Sequence, residues 1–117
     1  MIVDDDSRNI FALGSYLETL DMHIISAENG AVAIARLQEI ERPDIILLDM
    51  MMPVMDGYET LGILKNDDSL KQIPVIAVTA RAMKGDKEKC LEAGAWDYLS
   101  KPIDLTILVD KLTKWII

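Results

Sequence analysis

Ile45-Ile46-Leu47-Leu48-Asp49 is an unbroken apolar run that ends on an acid. A strand with one wet face would alternate polar and apolar residues, so a continuous run of this length reads as a strand buried on both faces. Pro74-Val75-Ile76-Ala77-Val78, closing on Thr79, repeats the pattern downstream, and Met1-Ile2-Val3 before Asp4 looks like the tail of another strand. His23 to Ala27 and Tyr98-Leu99 supply weaker strand signals. Strands buried on both faces need helices on both sides of the sheet, and the sequence between them has helical spacing.

Ile10, Leu13, Leu17 and Leu20 share one helical face after a polar Asp6-Ser7 start that can cap it. Ala33, Ile34, Leu37 and Ile40 follow Asn29-Gly30 and are stopped by Pro43, while Leu61 and Leu64 mark a third helix after Asp56-Gly57. A fourth helix is predicted from about Met83 to Ala93, ended by Gly94. Leu105, Leu108, Val109, Leu112 and Ile116 give the fifth, with the cleanest amphipathic spacing. Strict β-α alternation with buried strands predicts a doubly wound parallel sheet with right-handed crossovers.

Composition narrows the function. The chain has 117 residues, 50% of them hydrophobic, which fits one domain over 1–117 with a single buried core. Its net charge of −8 argues against binding nucleic acid or an anionic membrane surface, both of which rely on clustered Lys and Arg. The single Cys90 cannot form an internal disulfide, consistent with a reducing cytoplasm. No apolar run approaches the ~20 residues of a membrane helix, and no signal peptide is visible. Only three residues precede Asp4, and the chain stops on Trp115-Ile116-Ile117 without a cap, so it reads as a piece of a longer chain.

Ligands of open α/β sheets bind beyond the carboxyl ends of the strands, where the strand order reverses. Asp4 and Asp5 end the first strand, Asp49 the third and Thr79 the fourth, and Lys101 follows the fifth. The second strand contributes nothing, as expected of an edge strand in the order 2-1-3-4-5. Carboxylates crowded on one rim repel by about 4 kcal/mol per pair at ~4 Å and an effective dielectric near ~20, an upper-end figure. The cluster therefore needs protons or a cation, and oxygen-only donors with room for water favour Mg²⁺. Asp49 is then the candidate nucleophile for a phosphoryl group, with Lys101 and the Thr79 hydroxyl stabilising the remaining oxygens. Asp6 reads as a helix cap, and a slip by one residue, making Asp5 and Asp6 the acidic pair, is the alternative.

Ile2-Val3-Asp4-Asp5, Leu48-Asp49-Met50-Met51-Met52-Pro53-Val54-Met55-Asp56-Gly57, Val78-Thr79-Ala80 and Lys101-Pro102 stand in this order along nearly the whole chain. Together they resemble the receiver domain of two-component response regulators. Asp4-Asp5-Asp6-Ser7-Arg8-Asn9-Ile10-Phe11-Ala12-Leu13 and Ala82-Met83-Lys84-Gly85-Asp86-Lys87-Glu88-Lys89-Cys90 are similar in texture to receivers of hybrid sensor histidine kinases.

The resemblance implies a flavodoxin-like (βα)5 fold. It implies an Asp49 phosphoacceptor that takes its group from a histidine kinase or histidine phosphotransfer domain docked near helix one, and later loses it to water. It further implies Mg²⁺ held by Asp4, Asp5, Asp49 and the Met51 backbone carbonyl, with Asp5 as the direct ligand of the pair. Thr79 and Lys101 would contact the phosphoryl group, and a cis Lys101-Pro102 bond is usual. Thr79 and Tyr98 would form a switch acting on the face of helix four, strand five and helix five, a surface also used for dimers. Met51 and Arg81 would flank the path of attacking water. A hybrid parent chain would add a histidine kinase.

The remaining chemistry-bearing residues read as structure. His23 belongs to the edge-strand candidate, Cys90 to a packed helix face, Met50-Met51-Met52 to loop packing, and Trp96 and Trp115 to packing or a partner surface. A phosphatase with an aspartyl nucleophile resembles a different pattern, with a second Asp where this chain has Met51. A flavin carrier on the same architecture would want aromatic residues and hydroxyl-rich phosphate loops, against 5% aromatics and an acidic first loop here.

Overall fold

The computed structural model describes residues 1–39, 42–52, 55–80 and 85–116. Ile40, Pro53, Val54, Arg81 and the predicted start of the fourth helix at Met83 lie outside the described residues. The elements alternate as the hydrophobic pattern predicts: β1 (Ile2–Val3), α1 (Ser7–Glu18), β2 (Ser26–Ala27), α2 (Gly30–Glu39), β3 (Ile46–Asp49), α3 (Gly57–Asn66), β4 (Val75–Thr79), α4 (Asp86–Glu92), β5 (Asp97–Ser100) and α5 (Leu105–Ile116). The strands form one sheet in the order β2-β1-β3-β4-β5, every pair parallel.

Successive side chains of a strand point to opposite faces, and in β3 and β4 both sets are apolar. Ile46, Leu48, Val75 and Ala77 enter one core with Ala33 and Leu37 of α2, Leu61 and Leu64 of α3, and Cys90 of α4. Leu47, Ile76 and Val78 enter the other with Leu17 of α1 and Leu108 and Leu112 of α5. There are two cores, one on each face of the sheet, and not the single core expected from composition, which explains why these strands carry no polar alternation.

Helix ends follow local chemistry. The Asp6 side chain accepts from the Arg8 N–H to start α1, and Asp56 accepts from the Glu59 N–H to start α3. Gly94, at φ +119°, follows α4 in the left-handed region that glycine reaches without strain.

The structure shortens α1 relative to the sequence reading. It stops at Glu18, so Leu20 lies beyond it and is exposed, and Asp21 takes a positive φ of 63° in the turn. The second strand is only Ser26–Ala27, which leaves His23 exposed ahead of it, while β5 extends a residue either way beyond Tyr98-Leu99. Leu105, placed on the apolar stripe of α5 by spacing, is exposed because it sits in the first turn. Among the described residues no helix is long and apolar enough to cross a membrane.

A polar cluster locks α5 to the sheet. Buried Asp97 accepts from Lys111 Nζ at 2.7 Å, from Trp115 Nε1 at 2.9 Å and from the Tyr98 N–H at 2.8 Å. Trp115 also meets Trp96 edge to face at 5.3 Å between centroids. Burial alone would raise the Asp97 pKa, but these donors and the Lys111 charge outweigh it and hold the carboxyl below its ordinary range.

A lowered folded-state pKa stabilises the fold above the ordinary Asp value, and that contribution is lost as pH falls through the folded value. Urea midpoints taken from neutral to acid pH should therefore drop, with part of the drop absent in Asp97→Asn. Trp115→Phe keeps an aromatic side chain, though a smaller one, but loses the donor, and should cost about 1–2 kcal/mol at neutral pH.

Candidate functional site

Each residue singled out at a strand end is pinned by the neighbouring strand. The Asp4 N–H donates to Ala27 O at 3.0 Å, just past β1. Asp49 closes β3 beside Val78, and the next amide, Met50, donates to Val78 O at 2.8 Å. Thr79 closes β4, and its carbonyl accepts from the Lys101 N–H at 2.8 Å. Parallel pairing thus carries the chain order of four strand ends into one rim, without long loops that would have to be ordered separately.

On that rim, carboxylate oxygens of Asp4, Asp5 and Asp49 all lie within 4.8 Å of one another. Asp4 and Asp49 are buried and Asp5 is exposed. Lys101 Nζ stands 3.4 Å from Asp4 Oδ2 and 3.4 Å from Asp49 Oδ2, bridging the two buried acids. The Lys101-Pro102 peptide bond is cis. Asp49 Oδ1 accepts from the Met51 N–H at 3.0 Å, and Asp4 Oδ1 accepts from the Asp6 N–H at 2.8 Å. Thr79 is buried beside Asp49's strand, whereas Met51 is 48% exposed. Tyr98 is half-buried on β5 against the α2–α3–α4 core.

Asp6 is not in the cluster. Its carboxylate is engaged first with the Arg8 guanidinium and then with the Arg8 backbone N–H, which hold its pKa below the usual range. The three clustered acids are thus Asp4, Asp5 and Asp49.

One lysine does not fully offset three acids. Burial pushes the Asp49 carboxyl above its ordinary pKa, and the Met51 N–H and the Lys101 charge pull against that shift without reversing it, while Asp4 adds to it. Burial disfavors the Lys101 ammonium, but Asp49 and Asp4 more than compensate and raise its pKa. The rim is a fixed ammonium facing an excess of carboxylate, in a geometry that suits a hard cation and then an anionic group.

Spacing alone missed several residues. Asn9 Nδ2 donates to Asp4 Oδ2 at 3.4 Å, and its only sequence signal is a polar residue in the first turn of a helix. Asp97 carried no signal at all, because its partners lie 14 and 18 positions away. Gly57 and Gly30 are sites of close approach: a Cβ on Gly57 would meet Met50 Cα at 2.6 Å, and one on Gly30 would run into Thr60 Oγ1.

A family model of the response regulator receiver domain matches residues 1–113. The chain belongs to that family. The polar-differentiation response regulator DivK of Brucella anthropi is 39% identical over 116 residues, covering 99% of this chain and 94% of the relative. The signal transduction histidine-protein kinase BarA of Escherichia coli is 42% identical over 104 residues, which are 89% of this chain but only 11% of BarA.

Among solved structures, the receiver domain of the sensor histidine kinase PA1611 from Pseudomonas aeruginosa, with magnesium coordinated in its active-site cleft, superposes with a TM-score of 0.88 at 34% identity, covering 98% of this chain and 93% of that one. A co-crystal structure of the Saccharomyces cerevisiae phosphotransfer protein Ypd1 with the receiver domain of Ssk1 gives a TM-score of 0.88 at 30% identity, covering 97% and 85%.

Proposed function

We propose that this receiver accepts a phosphoryl group on Asp49 from a phosphohistidine of a histidine kinase or phosphotransfer domain, and returns it to water. The observation that carries the reading is Lys101 Nζ at 3.4 Å from both buried acids, with the Asp5 carboxylate completing a cluster within 4.8 Å. The magnesium in the PA1611 receiver and the Ypd1 partner of the Ssk1 receiver support the same reading.

The donor set fits Mg²⁺: hard oxygen ligands, two buried and one open to water and substrate. Asp4, Asp5 and Asp49 would hold it, Asp5 most directly, with the Met51 carbonyl as a further ligand. When bound, the ion neutralises charge on the transferring phosphoryl group.

Asp49 attacks the phosphorus in line through a carboxylate oxygen, and the phosphorus–nitrogen bond breaks with its electron pair leaving on the donor imidazole. Lys101, held by Asp4 and Asp49, balances the added charge on a phosphoryl oxygen. The Thr79 hydroxyl bonds another oxygen, and Tyr98 follows it. That movement alters the α4–β5–α5 face, which then gains or loses a partner or a second copy. Hydrolysis of the acyl phosphate restores the carboxylate and releases inorganic phosphate. The setting is a reducing cytoplasm, and the chain is part of a hybrid kinase or response regulator.

Incubation with acetyl phosphate, and separately with a phosphorylated histidine phosphotransfer domain, should add one phosphoryl group that survives acid and is lost in base. The mass gain should require Mg²⁺ and map to the peptide containing Asp49. Transfer to His23 instead would overturn the reading.

A further inference from the structure

Three methionines follow Asp49 in sequence, but the residues differ sharply in exposure. Met50 is 1% exposed and Met52 7%, whereas Met51 is 48% exposed, and Met22 and Met55 are only partly so. The sulfurs of Met50 and Met55 are packed against glycine backbone: a Cβ built on Gly57 would lie 2.5 Å from Met50 Sδ, and one on Gly30 2.9 Å from Met55 Sδ. Among the described residues Met51 is the one exposed methionine. Its backbone is tied to the reacting group, since its N–H donates to Asp49 Oδ1 at 3.0 Å.

We infer that Met51 is a modification site for two-electron oxidants such as hydrogen peroxide, and that its sulfoxide shortens the life of the phosphoryl group on Asp49. The second half of this statement rests on the phosphoacceptor role proposed above. In the first step the peroxide O–O bond breaks, an S–O bond forms on the Met51 thioether, and the other oxygen leaves as water. Sulfur loses two electrons and peroxide gains them. A flexible apolar side chain becomes a polar one with a strong acceptor oxygen.

The exposed Met51 side chain leaves the same turn whose N–H donates to Asp49 Oδ1; a thioether there offers water no strong acceptor, whereas a sulfoxide oxygen would hold water beside the acyl phosphate. One hydrogen bond to the attacking water corresponds to a rate gain of about fivefold. Because the Met51 main chain keeps its place in the turn, labelling of Asp49 should survive oxidation while retention of the label should not. A methionine sulfoxide reductase would restore the slow state.

The test uses the 117-residue chain and hydrogen peroxide as the probe. Peptide mapping after graded treatment should find the first added oxygen on Met51, with Met50 and Met52 reacting only on unfolding. Treated and untreated protein are then labelled with acetyl phosphate and Mg²⁺, freed of reagent, and followed by intact mass. The half-life should be about fivefold shorter after oxidation. It should recover with the reductase and be insensitive to peroxide in Met51→Leu.

First oxidation at another methionine, or an unchanged half-life in protein oxidised at Met51, overturns the inference. Absence of label on untreated wild type would instead strike the proposed function, and the mapping result would still stand or fall by itself.

Discussion

Asp49→Asn is expected to take up no phosphoryl label and to melt at a higher temperature than the wild type. The first effect is absolute, because a carboxamide cannot act as the nucleophile while Asp4 and Asp5 are tied to the neighbouring turn and solvent. The second follows from charge. Burial lifts the Asp49 pKa in the folded state, so folding is opposed by the ionised form.

For such a carboxyl, stability falls as pH rises from the ordinary Asp value through the raised folded value, and stays lower at neutral pH. Asn removes that cost, and Lys101 keeps Asp4 as its partner at 3.4 Å. A gain of about 1 kcal/mol would raise Tm by about 4 °C in a domain of this size. The gap between variant and wild type should close in acid, where Asp49 is protonated in both states. Circular dichroism melts across pH, with intact mass after acetyl phosphate treatment, check both halves. A labelled variant, or one that melts lower at neutral pH, would contradict them.

Two glycines of α3 should respond to alanine with opposite signs. At Gly57 the new Cβ would lie 2.6 Å from Met50 Cα and 3.0 Å from Asp49 O, both backbone atoms that cannot step aside. The helix start must retreat from the end of β3, which breaks the contact of the Gly57 N–H with Met50 O at 3.3 Å and shifts the turn that follows Asp49. A loss of about 3 kcal/mol is expected, with slowed labelling of Asp49.

Gly62, five residues on in the same helix, has nothing within 4 Å of its would-be Cβ. Alanine there gains helix propensity and should stabilise by about 0.5–1 kcal/mol, leaving labelling unchanged. Urea unfolding of the two variants reads the contrast directly. A Gly57→Ala protein as stable as wild type would show that the close approach of α3 to the end of β3 is not a constraint.

The strand runs were legible because burial on both faces leaves no alternation. Leu48 and Leu47 serve different cores, and only a doubly wound sheet demands both. The rim residues were legible because parallel pairing turns strand ends into neighbours, a topological rule that needs no side-chain detail. The limits lie where tertiary contact decides. Asp97 meets Lys111 and Trp115 only because α5 folds back along β5, and neither spacing nor propensity encodes that return. Leu20 fits the helical period, yet the chain turns at Asp21 before the helix reaches it. The assignment of Asp4 and Asp5, rather than Asp5 and Asp6, as partners of Asp49 depends on which side chain caps α1, and the Asp6–Arg8 contacts decide it.

The central claim is that crowded carboxylates make this rim a cation site, and that cation binding and phosphoryl uptake are one event. A Mg²⁺ titration read in parallel by calorimetry and by phosphoryl incorporation from acetyl phosphate tests it most directly. Uptake of one ion per chain, at concentrations on the order of millimolar, with label rising along the same curve and both signals lost in a chelator, is the predicted result. Full labelling of Asp49 in excess chelator, or magnesium uptake with no link to labelling, would contradict it.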